Sequence, residues 1–319
     1  MRTRQAAASA VGVVAATALA LSGTAPAQAA VVGGDGGGDA TEAIERVAPE
    51  VFDGAAGQGA EGRGVEGLRM PSDAGQPVTL GTGADAVAVS LPRTGTTTEA
   101  QAPGGQREFD HGDGSTTVPV AKSDGSAQIT TVIEEAGAPQ AYAYDVRLPE
   151  GASLDEQKGG GVAVTGADGA FLGGFNPPWA RTADGKSVPT RYEVRGDTLV
   201  QRVDHRGLPD SAYPVVADPW LGRDLMYQPW VTPDPRGYVI NVDPTGWGRA
   251  WSGPATHFAH TSEMRTKLGA QGHLLTPTIE EQLRCHVAYN PFEWGTYNLE
   301  SWRPWVAWSR QAWPAQCNP

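Results

Sequence analysis

Residues 141–148 run Ala-Tyr-Ala-Tyr-Asp-Val-Arg-Leu, with Tyr142, Tyr144, Val146 and Leu148 on every second position. Side chains of an extended chain point alternately to opposite faces, so this spacing builds one apolar and one polar face. The stretch is a half-buried strand by that pattern. Working outward, Val87, Val89 and Leu91 alternate in the same way. Further short runs occupy residues 117–121, 128–133, 161–165, 190–194, 199–203 and 213–216. Asp113-Gly114, Asp124-Gly125, Asp168-Gly169 and Asp184-Gly185 fall between them. Such dipeptides tolerate the positive φ of tight hairpin turns. Residues 77–219 are therefore expected to form an antiparallel β-rich domain, either a sandwich or an open barrel.

Composition changes beyond that region. Nine of the ten tryptophans lie from residue 220 onward: Trp220, Trp230, Trp247, Trp251, Trp294, Trp302, Trp305, Trp308 and Trp313. Both cysteines, Cys285 and Cys317, lie there too. A small domain needs large side chains to fill its core, so most of these rings should be buried and two or three exposed. One helix is predicted from Thr261-Ser262-Glu263 through Met264 and Leu268 to Gly272. A second opens at Thr276-Pro277, with Thr278 and Glu281 at capping-box spacing. Its apolar stripe is Ile279, Leu283 and Val287, and it ends before Pro291. A third is predicted over 301–313, capped by Ser301 and presenting Trp302, Trp305 and Trp308 on one face. Pro304 disfavours helix at Arg303, which leaves a later start open. The whole chain is α+β: a β-rich front and a small disulfide-closed α+β tail over 220–319.

Residues 30–76 are expected to be a flexible Gly-rich linker with too few apolar groups to offset the entropy of ordering. Within it, Ile44, Val47 and Val51 have helical spacing interrupted at Pro49, which predicts only a short transient helix. Residues 1–29 have the pattern of a secretory signal peptide. Arg2 and Arg4 precede an apolar run over 6–21, and Ala27-Gln28-Ala29 supplies the small residues for cleavage between Ala29 and Ala30. The run is shorter than the roughly 20 residues of a bilayer span. A secreted, extracellular protein with no membrane insertion after signal removal is expected.

The formal net charge is −12. From Trp220 onward acids and bases balance at eight each, so the excess acid lies in the front. A polyanion partner calls for a basic face, and neither nucleic acid nor an anionic membrane is expected as a partner. Excess negative charge instead keeps an exported chain soluble. Arginine outnumbers lysine twenty to four, a bias typical of high-GC bacterial genomes.

Two stretches resemble known sequences. Residues 176–219, ending in Tyr-Pro-Val-Val-Ala-Asp-Pro, resemble a front module of exported proteins from high-GC Gram-positive bacteria. Residues 284–318 resemble the family called domain of unknown function 2599. The matching features are Cys285 on a helix, Asn-Leu-Glu-Ser-Trp-Arg-Pro at 298–304, and Cys317-Asn318. That resemblance implies a secreted domain without an established activity, and no catalytic residue carries over.

Several groups are candidates for chemistry. Two cysteines in an exported chain are expected to pair; the rival is a reactive thiol with His286 as its base. His257 and His260 are three apart, but a third metal ligand among His273, Asp243 and Glu263 lacks a recognised spacing. Asp110-His111-Gly112-Asp113-Gly114 fits a turn better than a calcium loop, because its acids are three apart with no closing Glu. Glu293 and Glu300 would suit paired-carboxylate glycoside cleavage, with structural ion pairing to Arg303 as the alternative. No G-x-S-x-G elbow, P-loop or H-E-x-x-H motif occurs. No cofactor or metal is expected.

The function expected is non-catalytic binding at the cell envelope or outside it, with a cell-wall glycan or an extracellular protein as partner. The candidate surface is Glu300, Trp302, Arg303 and Trp305, since Trp and Arg are enriched at binding hot spots. The alternative is a secreted effector or toxin whose tail is a wall-sugar hydrolase or nuclease. An enzyme would bring Glu293, Glu300, His286 and Arg303 into one cleft, whereas a binding module would disperse them around an aromatic surface.

Overall fold

The computed structural model describes residues 39–56, 67–92, 97–289, 295–311 and 317–319. The signal-peptide expectation with its Ala29–Ala30 junction lies outside these residues, as do Glu293, Trp294 and Trp313.

The 141–148 stretch forms the strand Ala141–Arg147, with Tyr142, Tyr144 and Val146 buried and Ala143, Asp145 and Arg147 exposed. It pairs with Val87–Val89 on one side and Thr198–Val203 on the other, inside a six-stranded antiparallel sheet. A ten-stranded antiparallel sheet lies against it, centred on Ser115–Ala121, Ala127–Ile133 and Trp220–Gly222. Both sheets contribute to one apolar core: Val89, Tyr142, Tyr144 and Leu199 from the first, Phe109, Ile129, Val162 and Phe175 from the second. This is a sandwich. The four Asp-Gly dipeptides sit in turns with glycine at φ between 79° and 83°. Asp124 shows why the acid precedes the glycine: its Oδ1 accepts the Ser126 N–H at 3.0 Å and the Ser126 hydroxyl at 2.6 Å, closing the turn.

The 41–51 island is a packed element. Helix α1 (Asp39–Val47) continues into a 3-10 turn, Pro49–Phe52. Ile44, Val47 and Val51 meet Val118, Val120, Val132 and Val216 on the outer face of the larger sheet. Nine residues alone form at best a transient helix; the sheet supplies the apolar partner that its stripe needs. Strand Ala127–Ile133 is consequently buried on both faces, with Ile129 and Ile133 toward the sandwich core and Val132 toward α1. Lys122 anchors the same segment, its ammonium donating to the carbonyls of Val51 and, at 2.9 Å, Asp53. Burial lowers its pKa to about 8, against the opposing pull of Asp124.

The tail holds helices α2 (Gly246–Ala250), α3 (His257–Leu268) and α4 (Pro277–Tyr289), and a three-stranded antiparallel sheet. That sheet is the hairpin Trp230–Asp234 and Gly237–Val242, with Tyr297–Glu300 on its far side. Trp247 and Trp251 are buried and stack with Phe171 of the larger sheet, Phe171–Trp251 at 4.8 Å and Trp247–Trp251 at 5.2 Å. Trp230 and Trp305 are exposed. Cys285 on α4 is joined to Cys317, with Cα atoms 5.4 Å apart.

Three local expectations are corrected. Helix α3 begins at His257, a turn before Thr261. In α4, Thr278 lies inside the first turn and donates to the Arg303 carbonyl at 3.1 Å, while Glu281 accepts the Trp308 N–H at 2.6 Å and pairs with Arg284. The predicted capping box is therefore spent on tertiary contacts. The predicted 301–313 helix is absent from the described residues of that segment: a turn follows Glu300, then irregular chain and a 3-10 turn at Trp308–Arg310. Pro304 and the strand directly before it redirect the chain, so the three-residue Trp spacing makes no helical face.

Candidate functional site

Strand register sorts the tail sheet into two faces. Val231 lies opposite Ile240, Ile240 opposite Leu299, and Val242 opposite Tyr297. Ile240, Val242, Tyr297 and Leu299 are buried in the tail core. Directly paired residues share a face, so the opposite face carries Trp230, Thr232 and Asp234, then Asn241 and Val239, then Asn298 and Glu300. This face is turned to solvent, with Trp230, Thr232 and Asn298 exposed.

The strand Tyr297–Glu300 has a free edge, and α4 covers it. Gln282, fully buried, accepts the Glu300 N–H at 2.8 Å and donates to the Glu300 carbonyl at 3.0 Å. Glu300 is thereby held at the strand end with its side chain outward. Arg303 then reaches back from the turn to pair with the Glu300 carboxylate and to donate to the Pro319 carbonyl at 3.4 Å. The pair forms across a turn rather than along the helix that its spacing predicts.

Trp302 lies over the same face at the hairpin end. A Cβ at Gly237 would stand 3.9 Å from the Trp302 ring and in collision with the Ser301 hydroxyl. That hydroxyl accepts the Tyr238 N–H at 2.8 Å, which fixes the turn onto the hairpin. Arg236 stacks on Trp302, its guanidinium carbon 3.9 Å from the ring centroid, and forms two bonds to Asp234 at 2.9 and 3.2 Å. Glu300, Trp302 and Arg303 are thus brought together. Trp305 is 62 % exposed, on the chain beyond Pro304.

His286 is elsewhere. Its ring stacks on Tyr297 at 4.7 Å beneath the sheet. Burial lowers its pKa to about 4, opposed by a hydrogen bond that the ring donates to the Asn318 side chain. Cys285 is in the disulfide, so the proposed thiol–imidazole pair does not form. Glu300 and His286 therefore belong to opposite faces of one sheet. The cleft lined by Ser90, Asp145, Arg147, Asp197 and Thr198, about 410 Å³, belongs to the front sheets and holds none of these groups.

His260 is buried, bonded to the Thr256 carbonyl at 3.1 Å, and its pKa is lowered to about 4 by that burial. His257 packs edge-on against Trp308 at 4.8 Å. Glu263 accepts the N–H groups of Leu225 and Met226 and pairs with Lys267 at 3.2 Å. Asp110 and Asp113 serve the hairpin turn, accepting from Gly112 N–H and the Ser115 hydroxyl. Among the described residues, no three His, Cys, Asp or Glu side chains stand close enough to share a metal ion.

Sequence reading missed Trp230, Thr232, Arg236, Asn241 and Asn298. The signal was present in the alternation of Tyr238, Ile240 and Val242, masked by Pro229, Pro233 and Pro235 around it.

Residues 227–319 match a family model described as Protein of unknown function (DUF2599). The match spans the hairpin, the tail helices and both cysteines. No curated protein and no solved structure matches the chain.

Proposed function

We propose that the protein is a non-catalytic extracellular binding module whose tail is the recognition domain. The partner is a cell-wall glycan or an extracellular protein. The observation that carries this reading is the outward sheet face, where Glu300, Trp302 and Arg303 lie together with an exposed Trp230. Aromatic and arginine side chains on a solvent-facing, rigidly backed surface are what binding hot spots are made of. Of the groups that the hydrolase alternative would gather into one cleft, His286 and Glu300 are divided by the sheet, while Glu293 lies outside the described residues.

Export is part of the proposal. An internal disulfide fits an oxidising compartment, and no described helix is long and apolar enough to cross a membrane. The resemblance of residues 176–219 to modules of exported proteins points the same way. The test is co-sedimentation of the mature protein with insoluble peptidoglycan and with immobilised extracellular protein. Retention that Trp302→Ala or Arg303→Ala removes, at unchanged melting temperature, supports the reading. Release of soluble wall sugars or nucleotides during incubation would replace it with the hydrolase.

A further inference from the structure

We infer that the outward face of the tail sheet is a platform for a neutral polysaccharide laid along the strands. This rests on the binding reading above and deepens it by naming the ligand class and further residues.

Trp230, half exposed, forms one end of the face. The Arg236–Trp302 stack over Gly237 forms the other. Asn241 is paired with Trp230 across the hairpin and lies four residues from Gly237. At about 3.3 Å per residue the ends are roughly 13 Å apart, room for an oligosaccharide rather than a single sugar. Asn241 and Asn298 stand level with Trp230 across the strands, and Thr232, Val239 and Glu300 form the next row toward the stack. The Asn241 amide N–H groups already serve the Trp230 carbonyl and the Thr232 hydroxyl, at 3.2 and 2.9 Å. Its Oδ1 is thus oriented as a fixed acceptor.

Sugar chemistry matches this layout. A pyranose offers an apolar C–H face to an indole and a rim of hydroxyls to amides and alcohols. A protein partner would call for an apolar centre, and Val239 is the single aliphatic side chain on this face.

Charge selects against anionic polymers. The four formal charges on the face cancel locally, Asp234 against Arg236 and Glu300 against Arg303. Among the described residues of this face no uncompensated cation is left to hold a uronate or phosphate, and the net charge of −12 repels polyanions from the molecule as a whole.

Affinity electrophoresis of the mature protein in gels containing hydroxyethyl cellulose, laminarin, galactomannan or arabinogalactan tests the inference, with alginate and polygalacturonate as the charged arm. Retardation is expected in at least one neutral gel and in neither charged gel. Trp230→Ala should weaken it at least tenfold and Asn298→Ala several-fold, both at unchanged melting temperature. Absence of retardation in every neutral gel, retardation in the charged gels alone, or retardation indifferent to Trp230→Ala overturns the platform. Peptidoglycan co-sedimentation that depends on Trp302 but not on Trp230 would overturn it while leaving the binding reading standing. Failure of both assays removes both.

Discussion

The Ser301 hydroxyl occupies the space that a side chain at Gly237 would need, with the Trp302 ring in contact just beyond it. The glycine has φ of +150° and its missing Cβ lets Ser301 and Trp302 close over the hairpin. Gly237→Ala therefore faces strain and collision together. It is expected to cost about 1–3 kcal/mol of stability and to change the near-ultraviolet Trp spectrum. An unchanged spectrum and melting temperature would show that the turn does not depend on this contact.

The disulfide closes a loop with a sequence separation of 32. Chain entropy gives it about 3–4 kcal/mol. Cys285→Ser with Cys317→Ser should lower the melting temperature accordingly, and reduction of the wild type should reproduce the shift. A shift in the double variant that reduction does not match would point to lost packing around Cys285 rather than to loop closure.

His286 introduces an acid sensitivity of known sign. Buried on Tyr297, it has a pKa of about 4 against 6.5 for the free side chain. Between those values the unfolded chain binds a proton that the folded chain refuses. Stability from this group is thus complete above pH 6.5 and is lost as pH falls toward 4, by roughly 3 kcal/mol at most. Urea melts over that range should show a flatter pH dependence for His286→Phe than for the wild type. Parallel curves would assign acid sensitivity to other groups.

A fragment covering 221–319 retains the tail sheet, the three helices and the disulfide, but uncovers the Trp247 and Trp251 rings that Phe171 covers. It should fold with a cooperative melt at a lower temperature than the full chain. Phe171→Ala in the full chain should lower stability in the same direction. A fragment without any cooperative transition would make the two regions a single folding unit.

Export predicts a mature N-terminus at Ala30, because Ala27 and Ala29 provide the small side chains recognised before the cut. N-terminal sequencing of protein from culture supernatant decides it. Retention in the cell, or a start inside the β-rich region, would contradict that processing.

Local periodicity made the front legible. Tyr142, Tyr144 and Val146 needed only their alternation to declare a strand, and the Asp-Gly pairs needed only their torsional preferences to declare turns. The Ile279, Leu283 and Val287 stripe likewise identified α4, since three apolar groups at helical spacing leave few other solutions. Tertiary structure decided the rest. Whether Ile44 and Val47 make a lasting helix depended on Val118 and Val132, more than seventy residues away, because a short helix gains its stability from what its stripe covers. The Trp302, Trp305 and Trp308 spacing was compatible with a helix, yet pairing of Glu300 with Val239 and the ring of Pro304 settled it otherwise. The outward face was the least visible feature in the sequence. It joins Trp230, Asn241 and Asn298 through strand register, and register arises from which residues a folded sheet buries, a choice made only when Ile240, Val242 and Leu299 find their common core.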